Sequence, residues 1–435
     1  MSFFSQKPNL PQQLNICIIA NKFPIVGRAV RHGFLWPLAR GLVQAGHKVT
    51  VLSWTNPRGK KEIEKDGVVA YFLGEGGYRN IDDFPQRLDE KFAALHAQSP
   101  FHLVHCLDRS GLIIAKKKKE YGVGVIFDVD ATQMSSLFAI TGKVQDTIPS
   151  QLKTALAIVY KFLTTYYGSD RSIINTADSI FVNNPQQQLI LERYYLYPEL
   201  KTYIIPYGIE IGDLSKREKS DELREKLGLP VNSHIVVTIS DMNDFDESRN
   251  ILRAFEKVAI KKPTARLLVL GNGPFKKDVE YETLQLALGS RVFFIGDVNN
   301  EEISDYISLA EVFVNLSSRT TGFEPSLLEA MAQKKIIIGS EVSPIANIVE
   351  DSKDGFLIRP ADRKALSDLL INIFAEHYTL DQIKESARQK VLDIFNIDKM
   401  IQQTLSAYKE TLMNRRLFKK MKLSEQAKPN FQTNV

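Results

Sequence analysis

The sequence contains few cysteines and no long apolar run. Its 435 residues include 2 cysteines, Cys17 and Cys106, each in an apolar segment without metal-ligand spacing, which predicts buried thiols and neither a disulfide nor a zinc site. No segment reaches the roughly 18 apolar residues that a membrane-spanning helix needs. The first residues, MSFFSQKPNLPQQ, lack the charged-then-apolar layout of a signal peptide, so a cytoplasmic location is expected.

Low-complexity tracts and short-period repeats are also missing from the sequence. The composition, 44% hydrophobic and 25% charged, is ordinary for a globular protein. The length allows two domains of about 200 residues each. Only the end of the chain, residues 424–435, is expected to be a disordered tail.

Positive charge is concentrated in the first half of the chain. Residues 1–205 contain 24 Lys and Arg against 17 Asp and Glu, whereas the remainder contains 32 against 34. One basic cluster, Lys116 to Lys119, is typical of a solvated helix end. The other, Arg415 to Lys422, interleaves apolar side chains with cations, which fits adhesion to an anionic membrane surface. Neither cluster belongs to a nucleic-acid-binding module, so no nucleic-acid partner is expected.

Apolar strand-like runs alternate with helix-period segments. NICIIA, KVTVLSW, LVHCL and VGVIFDVD come first, and after IIPYGIEIGDLS the rhythm restarts with HIVVTIS, ARLLVLGNG, RVFFIG, VFVNLS, KIIIGS and GFLIRP. This alternation predicts an α/β protein whose parallel sheets are covered by helices on both faces. The Pro-Tyr-Gly turn at residues 206–208 is the natural boundary between two doubly wound domains, residues 1–205 and 206–395. Residues 396–423 are expected to form a C-terminal helix.

The loops that follow the strands are the expected places for a site, because parallel sheets bind ligands outside the carboxyl ends of their strands. The loop NKFPIVGRAVRHG offers Gly27, Arg28, Arg31 and His32 for contacts with a phosphate or an acceptor. It does not have the GxGxxG spacing of dinucleotide-binding proteins. A later loop, LGNGP, makes a tight turn at Gly271.

The turn TISDMNDFDESRNILRAF is acidic where α/β chains often bind phosphate. Its four acidic residues are Asp241, Asp244, Asp246 and Glu247. Carboxylates repel a phosphate, although the N–H groups of the following helix attract one. Carboxylates at a helix start are more often caps than metal ligands, so no metal site is predicted. Asp246 or Ser248 is expected to cap a helix at Asn250.

The segment VFVNLSSRTTGFEPSLLEAMAQKKIIIGSEVSPIANIVEDSKDGFLIRPAD is the most specific in the chain. Its strand, Gly-Phe segment, LLEAMA helix, small-residue strand and DGFLI hairpin resemble, in that order, the nucleotide-sugar-binding domain of GT-B glycosyltransferases, in particular retaining family 4. The resemblance covers residues 200–375 well and the first half more loosely. It implies a GT-B fold of two facing Rossmann-like domains, with a C-terminal helix that crosses back to the first.

The resemblance also implies where a sugar nucleotide binds. Family 4 enzymes typically use an Arg and a Lys in the turn described above, two glutamates at the LLEAMA helix, and a His in the first domain. Here the Arg and Lys positions hold Asp241 and Asp246, the first glutamate is Thr321, and the His is Asp130. Glu329 keeps the second glutamate, whose role in the family is to hold the ribose hydroxyls.

Other residues are candidates to compensate for these replacements, because a departing diphosphate needs cations or helix-terminal N–H groups. The remaining candidate donor-binding residues are Arg249, Arg319, Thr321, Gly322, Phe323 and Gly271. Glu324 is a candidate to hold the sugar hydroxyls, and it and Asp130 are the candidate catalytic residues.

Three functions agree with this pattern. The first is a retaining hexosyltransferase with an altered donor site, which takes a nucleotide sugar as co-substrate, needs no cofactor, and acts on a glycan or lipid-linked acceptor, as in polysaccharide assembly. The second is a catalytically inactive relative that binds a glycan, a nucleotide or a partner glycosyltransferase. The third is another GT-B activity, such as a phosphorylase or an epimerase. The basic first half fits an acceptor at the inner face of the membrane.

Overall fold

The structure is a computed structural model that describes most of the chain. The described residues are 10–23, 33–54, 59–74, 83–129, 132, 155–156, 159–160, 163, 169–211, 218–298, 300–317, 324–342, 344–375 and 380–426, without the side chains of 169, 218–220, 300–301 and 416–426. Contacts divide the chain into two compact units. The first comprises Met1–Pro24, Leu35–Pro206 and Asp398–Val435, and the second comprises Ile25–Phe34 and Tyr207–Ile397.

The first unit is built on an eight-stranded sheet. Its strands are β1 (Asn15–Ala20), β2 (Lys48–Ser53), β3 (Glu62–Lys65), β4 (Val68–Phe72), β5 (Leu103–Cys106), β6 (Gly124–Asp128), β7 (Ser179–Val182) and β8 (Thr202–Ile204). They lie in the order β3-β4-β2-β1-β5-β6-β7-β8, parallel except for the antiparallel pair β3 and β4. Its helices are α1 (Leu35–Gln44), α2 (Phe84–Gln98), α3 (Leu112–Lys116), α4 (Lys118–Tyr121), α5 (Ser169–Thr176) and α6 (Pro185–Tyr195).

The second unit is built on a six-stranded parallel sheet. Its strands are β9 (His234–Ile239), β10 (Ala265–Leu270), β11 (Val292–Gly296), β12 (Val312–Asn315), β13 (Ile336–Ser340) and β14 (Phe356–Ile358), in the order β11-β10-β9-β12-β13-β14. Its helices are α7 (Glu218–Lys226), α8 (Phe245–Lys261), α9 (Lys276–Gln285), α10 (Asn300–Leu309), α11 (Pro325–Ala332), α12 (Ile345–Ile348), α13 (Arg363–Phe374) and α14 (Asp381–Asp393). The prediction of two doubly wound parallel sheets is confirmed.

Each unit has its own hydrophobic core. Trp54, Phe84 and Phe92 belong to the core of the first unit, and Phe255 and Val314 belong to that of the second. The central strands are buried along their length, as expected of parallel strands covered on both faces. Phe34 is grouped with the second unit, where its ring stacks on that of Tyr207 with centroids 3.9 Å apart.

A long C-terminal helix, α15 (Ile397–Gln426), packs on the first unit from Asp398 onward. The Tyr408 hydroxyl lies 2.8 Å from His105 Nδ1, and the Arg415 Nη2 donates to the carbonyl of Lys118 at 3.0 Å. The helix extends three residues into the predicted disordered tail, because no helix-breaking residue precedes Pro429. Within the described part of the chain, no helix has the length and apolar character needed to cross a bilayer.

The lysine run Lys116–Lys119 is not simply a solvated face. The Lys117 ammonium pairs with Asp89 at 2.6 Å, and the Lys118 ammonium pairs with Asp178 at 2.6 Å. Lys116 and Lys119 are exposed. The interpretation as a solvated helix end was therefore wrong for Lys118, whose side chain is 19% exposed, whereas Lys117 pairs with Asp89 at the surface.

Both cysteines are free and buried, as predicted. Burial raises the pKa of the Cys17 and Cys106 thiols. These thiols therefore act as small apolar side chains of the core.

Candidate functional site

The candidate donor site lies at the carboxyl edge of the second sheet. The chain winds from β9 outward to β10 and β11, returns to β12 beside β9, and continues in the other direction to β13 and β14. Open parallel sheets bind ligands at such a reversal point. The acidic turn follows β9, and Glu324 and Glu329 follow β12. The fold therefore brings the turn and the glutamates to the two strand ends that flank the reversal.

The acidic turn is fixed by its own side chains. The Ser240 hydroxyl accepts a hydrogen bond from the N–H of Met242 at 3.1 Å. The Asp241 carboxylate accepts one from the N–H of Asn243 at 3.2 Å and is exposed. Met242 is buried and adopts a left-handed conformation with φ of 46°. The turn is thus a defined structure that presents the Asp241 carboxylate outward.

The glycine loop after β10 packs directly on this turn. Gly271 has a φ of 110°, and a Cβ atom there would collide with the carbonyl oxygen of Ser240. A Cβ atom at Gly273 would collide with the carbonyl oxygen of Asp241. Only glycine allows this approach, so the predicted tight turn at Gly271 buttresses the acidic turn.

Helix α8 begins earlier than the sequence suggested. Asp244 is its N-cap, with its carboxylate accepting from the N–H groups of Asp246 at 3.0 Å and Glu247 at 3.4 Å. The prediction of a helix at Asn250 capped by Asp246 or Ser248 was wrong. The extended backbone of Asp244, with φ of −124°, places its carboxylate over the first turn and starts the helix at Phe245.

Arg249, the candidate cation of the turn, is already paired with carboxylates. Its Nη1 lies 3.4 Å from Asp246 Oδ1, and its Nε lies 3.7 Å from Glu282 Oε1. Glu282 is buried and also pairs with Arg253 Nε at 2.7 Å. The positive charge of Arg249 is therefore largely compensated within the protein. Sequence reasoning missed Glu282, because it lies on α9, 33 positions beyond Arg249, without a local signal.

The two glutamates after β12 are both buried. Glu324 immediately precedes α11, which begins at Pro325 as predicted, and its Oε2 accepts a hydrogen bond from Asn315 Nδ2 at 3.1 Å. Asn315 ends β12, and its side-chain Oδ1 accepts a hydrogen bond from the N–H of Ser317 at 3.1 Å. Glu329 lies within α11. Asn315 is a further site residue that the sequence interpretation missed, although its place at the end of a strand was a usable signal.

Several predicted site residues lie outside the described part of the chain. They are Gly27, Arg28, Arg31, His32, Asp130, Arg319, Thr321, Gly322 and Phe323. The catalytic role of Asp130 and the roles of the others in donor or acceptor binding stay predictions.

The first sheet reverses its winding between β1 and β5 in the same way. At this edge the Asp108 carboxylate accepts from the N–H of Asn21 at 2.6 Å and from that of Ser110 at 2.8 Å. Asp108 thus ties the loop after β1 to the loop after β5. Asp108 could not be singled out from sequence patterns, because its partner Asn21 is 87 positions away.

A second polar cluster lies beside the carboxyl end of β6. His105 Nε2 lies 3.9 Å from Asp128 Oδ2, and both residues are buried. Burial lowers the pKa of His105 to about 3, so its imidazole is neutral. Burial also raises the pKa of Tyr408, so the hydroxyl that faces His105 stays protonated. Among the residues that the structure covers, no group of three or more His, Cys, Asp or Glu is arranged to hold a metal ion.

Part of the chain matches a known family. Residues 219–390 match the family described as Glycosyl transferases group 1. The N-acetyl-alpha-D-glucosaminyl L-malate synthase of Bacillus anthracis is 23% identical over 264 residues, which cover 58% of this chain and 68% of that protein.

Solved structures resemble almost the whole chain. The sucrose-phosphate synthase of Thermosynechococcus elongatus has a TM-score of 0.72 at 21% identity, covering 93% of this chain and 99% of its own. Anabaena HepE, solved in complex with UDP and glucose, has a TM-score of 0.69 at 14% identity, covering 90% and 98%. This protein therefore has the GT-B fold, and its residues 219–390 match the group 1 glycosyltransferases.

Proposed function

We propose that this protein transfers a sugar from a nucleotide-sugar donor to a glycan or lipid-linked acceptor. The observation that carries the proposal is the pair of buried glutamates, Glu324 and Glu329, at the reversal point of the second sheet. Both lie within the segment that matches the family. A relative named for an N-acetylglucosaminyl product and a structural neighbour that binds UDP and glucose support a nucleotide-sugar donor.

In the proposed reaction, the bond between the anomeric carbon and the diphosphate breaks while an acceptor hydroxyl oxygen bonds to that carbon. The hydroxyl proton is released, and the nucleoside diphosphate departs with the electron pair. Glu329 is proposed to hold the ribose hydroxyls and Glu324 those of the transferred sugar, each as a hydrogen-bond acceptor. Retention of the anomeric configuration is part of the proposal, and NMR of the first product formed from an α-linked donor tests it.

The donor site is proposed to bind the diphosphate less tightly than one with the usual cations. A carboxylate a few ångströms from a phosphate costs on the order of 1 kcal/mol or more at an interfacial dielectric, and Asp241 and Asp246 are both exposed at this edge. Arg249 offers little compensation, because Asp246 and Glu282 already pair with it. Backbone N–H groups before α11 are the proposed substitute.

Calorimetric titration with UDP, GDP and ADP and with their common sugar conjugates tests the proposal. We expect a dissociation constant in the micromolar range for at least one ligand, because the buried glutamates are retained. Glu329→Gln, which keeps the shape but removes the charge, is expected to weaken binding at least tenfold. Glu385→Gln is the matched control, since Glu385 is an exposed carboxylate of the same unit and its substitution leaves the ligand site unchanged.

Silence across the whole ligand panel would contradict the proposal. It would favour the inactive alternative, in which the site binds a glycan or a partner subunit. The relatives reported above lend that alternative no support, since those named for an activity are synthases.

We further propose that the enzyme works at the inner face of a membrane. The basic residues from Arg415 to Lys422 and the lysine run Lys116–Lys119 are far apart in the sequence, and the hydrogen bond from Arg415 to the Lys118 carbonyl brings the start of one cluster to the other. Adjoining basic segments attract anionic lipid headgroups. Such a position would suit a lipid-linked acceptor.

A further inference from the structure

Asn315 holds Glu324 at the carboxyl edge of the second sheet. It is the last residue of β12, and its Nδ2 donates a hydrogen bond to Glu324 Oε2 at 3.1 Å. Both residues are buried. The hydrogen bond therefore places a carboxylate oxygen at the end of a strand that flanks the reversal point, where open parallel sheets bind ligands.

The amide of Asn315 has one orientation that satisfies both of its neighbours. Its Oδ1 accepts a hydrogen bond from the backbone N–H of Ser317 at 3.1 Å. A backbone N–H can only donate, and an ionised carboxylate can only accept. A rotated amide would set donor against donor at Ser317 and acceptor against acceptor at Glu324. The contact with Ser317 therefore fixes the Nδ2 group toward Glu324.

A neighbouring strand supports this arrangement. The hydroxyl of Ser340, the last residue of β13, donates a hydrogen bond to the carbonyl of Ser317 at 2.7 Å. Ser317 and Ser340 are both buried, and β12 and β13 pair directly, with Asn315 opposite Gly339. Asn315 and the residue that orients its amide are thus both fixed by strands of the sheet. Rigid elements of this kind give a ligand contact its precise geometry.

The carboxylate of Glu324 determines which chemical group can approach it. An ionised carboxylate accepts hydrogen bonds and cannot donate them, so a sugar hydroxyl, which can donate, is a fitting partner. A sugar that carries its own carboxylate would be repelled, and this repulsion is stronger where water is largely excluded. The pair of Asn315 and Glu324 therefore favours a neutral sugar that presents a hydroxyl.

We propose that Asn315 is a positioning residue that fixes the Glu324 carboxylate against a hydroxyl of the transferred sugar, and that the pair selects neutral sugars over uronic acids. The inference rests on the proposed function, because it assigns the sugar part of the nucleotide-sugar donor to these two residues. A carboxylate that is already held in place loses little conformational freedom when the sugar binds. Displacing it should weaken binding of the sugar and leave binding of the nucleotide unchanged.

Calorimetry of the full chain with three ligands of one base separates the parts of the donor. The ligands are UDP, UDP-glucose and UDP-glucuronic acid, or the corresponding guanosine or adenosine compounds if that base binds more tightly. Asn315→Asp keeps the acceptor for Ser317 and replaces the donor to Glu324 by a carboxylate that repels it. We expect this variant to bind UDP-glucose at least tenfold more weakly and to bind UDP within threefold of the wild type.

A double variant restores the pair with its polarity reversed. In Asn315→Asp, Glu324→Gln the new amide can donate to the new carboxylate, so the hydrogen bond forms again and the carbonyl of the amide is left to accept from the sugar. We expect the double variant to bind UDP-glucose at least threefold more tightly than Asn315→Asp alone. If the asparagine served the stability of the unit only, the second substitution would not recover binding of the sugar.

The selection by charge is tested with Glu324→Gln. We expect the wild type to bind UDP-glucose at least tenfold more tightly than UDP-glucuronic acid. In Glu324→Gln this ratio should fall at least threefold, because the repulsion between the two carboxylates is removed.

Asn250→Asp is the matched control. Asn250 is a buried asparagine of the same unit, and its Oδ1 accepts a hydrogen bond from Arg363 Nε at 2.7 Å, so a carboxylate there keeps its partner. The control makes the same change of charge as Asn315→Asp and should leave the affinities for all three ligands unchanged. Circular dichroism of each variant verifies that it is folded.

Three outcomes overturn the proposal while the proposed function stands. They are equal losses of UDP and UDP-glucose affinity in Asn315→Asp, an unchanged affinity for UDP-glucose in that variant, and equal affinities of the wild type for UDP-glucose and UDP-glucuronic acid. In each of them the wild type still binds a nucleotide sugar. Failure of the wild type to bind any nucleotide or nucleotide sugar would overturn both proposals together.

Discussion

Asp241 and Asp246 occupy the positions where the family resemblance places an Arg and a Lys. Both carboxylates are exposed at the carboxyl edge of the second sheet, and neither is required for the core. Reversing the charge of an exposed side chain near a phosphate changes its electrostatic energy without a large structural cost. The two residues therefore offer a direct test of what the acidic turn does to a diphosphate.

We expect Asp241→Arg, Asp246→Lys to tighten binding of nucleoside diphosphates by about tenfold or more, because two cations replace two anions near the phosphates. Calorimetry with the nucleotide that binds the wild type measures the change. The gain should shrink at high salt, since the new charges are exposed.

The matched control for this substitution is Asp368→Arg, Asp381→Lys. Asp368 and Asp381 are exposed on α13 and α14, and Asp381 pairs with Lys384 three positions later, as Asp246 does with Arg249. The control adds the same net charge to the same unit at a different place. Equal tightening in both variants would show a general effect of the added charge. No tightening in either variant would show that the diphosphate does not bind near this turn.

At the scale of elements, the start of α8 depends on one capping residue. Asp244→Ala removes the acceptor for two backbone N–H groups and is expected to destabilise the first turn by about 1 kcal/mol. Asp244→Asn keeps the acceptor and loses only the charge, so its effect should be a few tenths of a kcal/mol. Hydrogen exchange of the two full-length variants, followed in the peptide that spans residues 240–261, compares the stability of this turn. Equal acceleration in both variants would mean that charge, and not the cap, stabilises the turn.

Elements governed by local patterns could be predicted from the sequence. The run NICIIA coincides with β1, and α11 begins at Pro325, because burial of parallel strands and a proline at a helix start leave local signals. The predicted start of α8, Asn250, is five residues too late, because several acidic residues of this turn could serve as the N-cap. Pairs between residues far apart in the sequence, such as Arg249 with Glu282, could not be predicted, because they produce no local sequence pattern.

At the scale of the whole molecule, the two units have separate cores, and tryptophan is present in the first unit alone. Trp36 and Trp54 are the only tryptophans in the sequence, and both belong to the first unit. Tryptophan fluorescence therefore follows unfolding of the first unit alone. A change of conditions that acts on one unit can thus be measured in the full chain, where a single unfolding transition need not apply.

The first unit is expected to lose stability as the pH falls from 7 to 5. Burial lowers the pKa of His105 to about 3, and it is the larger cause of the lowered pKa of His96 and of His47, which Lys409 lowers further. The His105 imidazole is neutral in the folded state over this range, whereas unfolded histidines bind protons below about pH 6.5. The contribution of His105 is fully present above that pH and falls by about 1.4 kcal/mol per pH unit below it, until the folded pKa is reached. The lowered pKa values of His96 and His47 act in the same direction.

Urea unfolding followed by tryptophan fluorescence at several pH values measures this loss. His105→Gln should reduce the slope of the unfolding free energy against pH between pH 6 and 5 by the amount that corresponds to uptake of about one proton. Most carboxylates titrate below about pH 5 and contribute little to the slope in this range. Asp128 and Tyr408 face the imidazole, and the tyrosine hydroxyl stays protonated throughout, so His105 is the group of this cluster that accounts for the difference. His234→Gln, a half-buried histidine of the second unit, should leave the slope unchanged. An unchanged slope in His105→Gln would show that this imidazole is charged in the folded protein, with Asp128 as its partner.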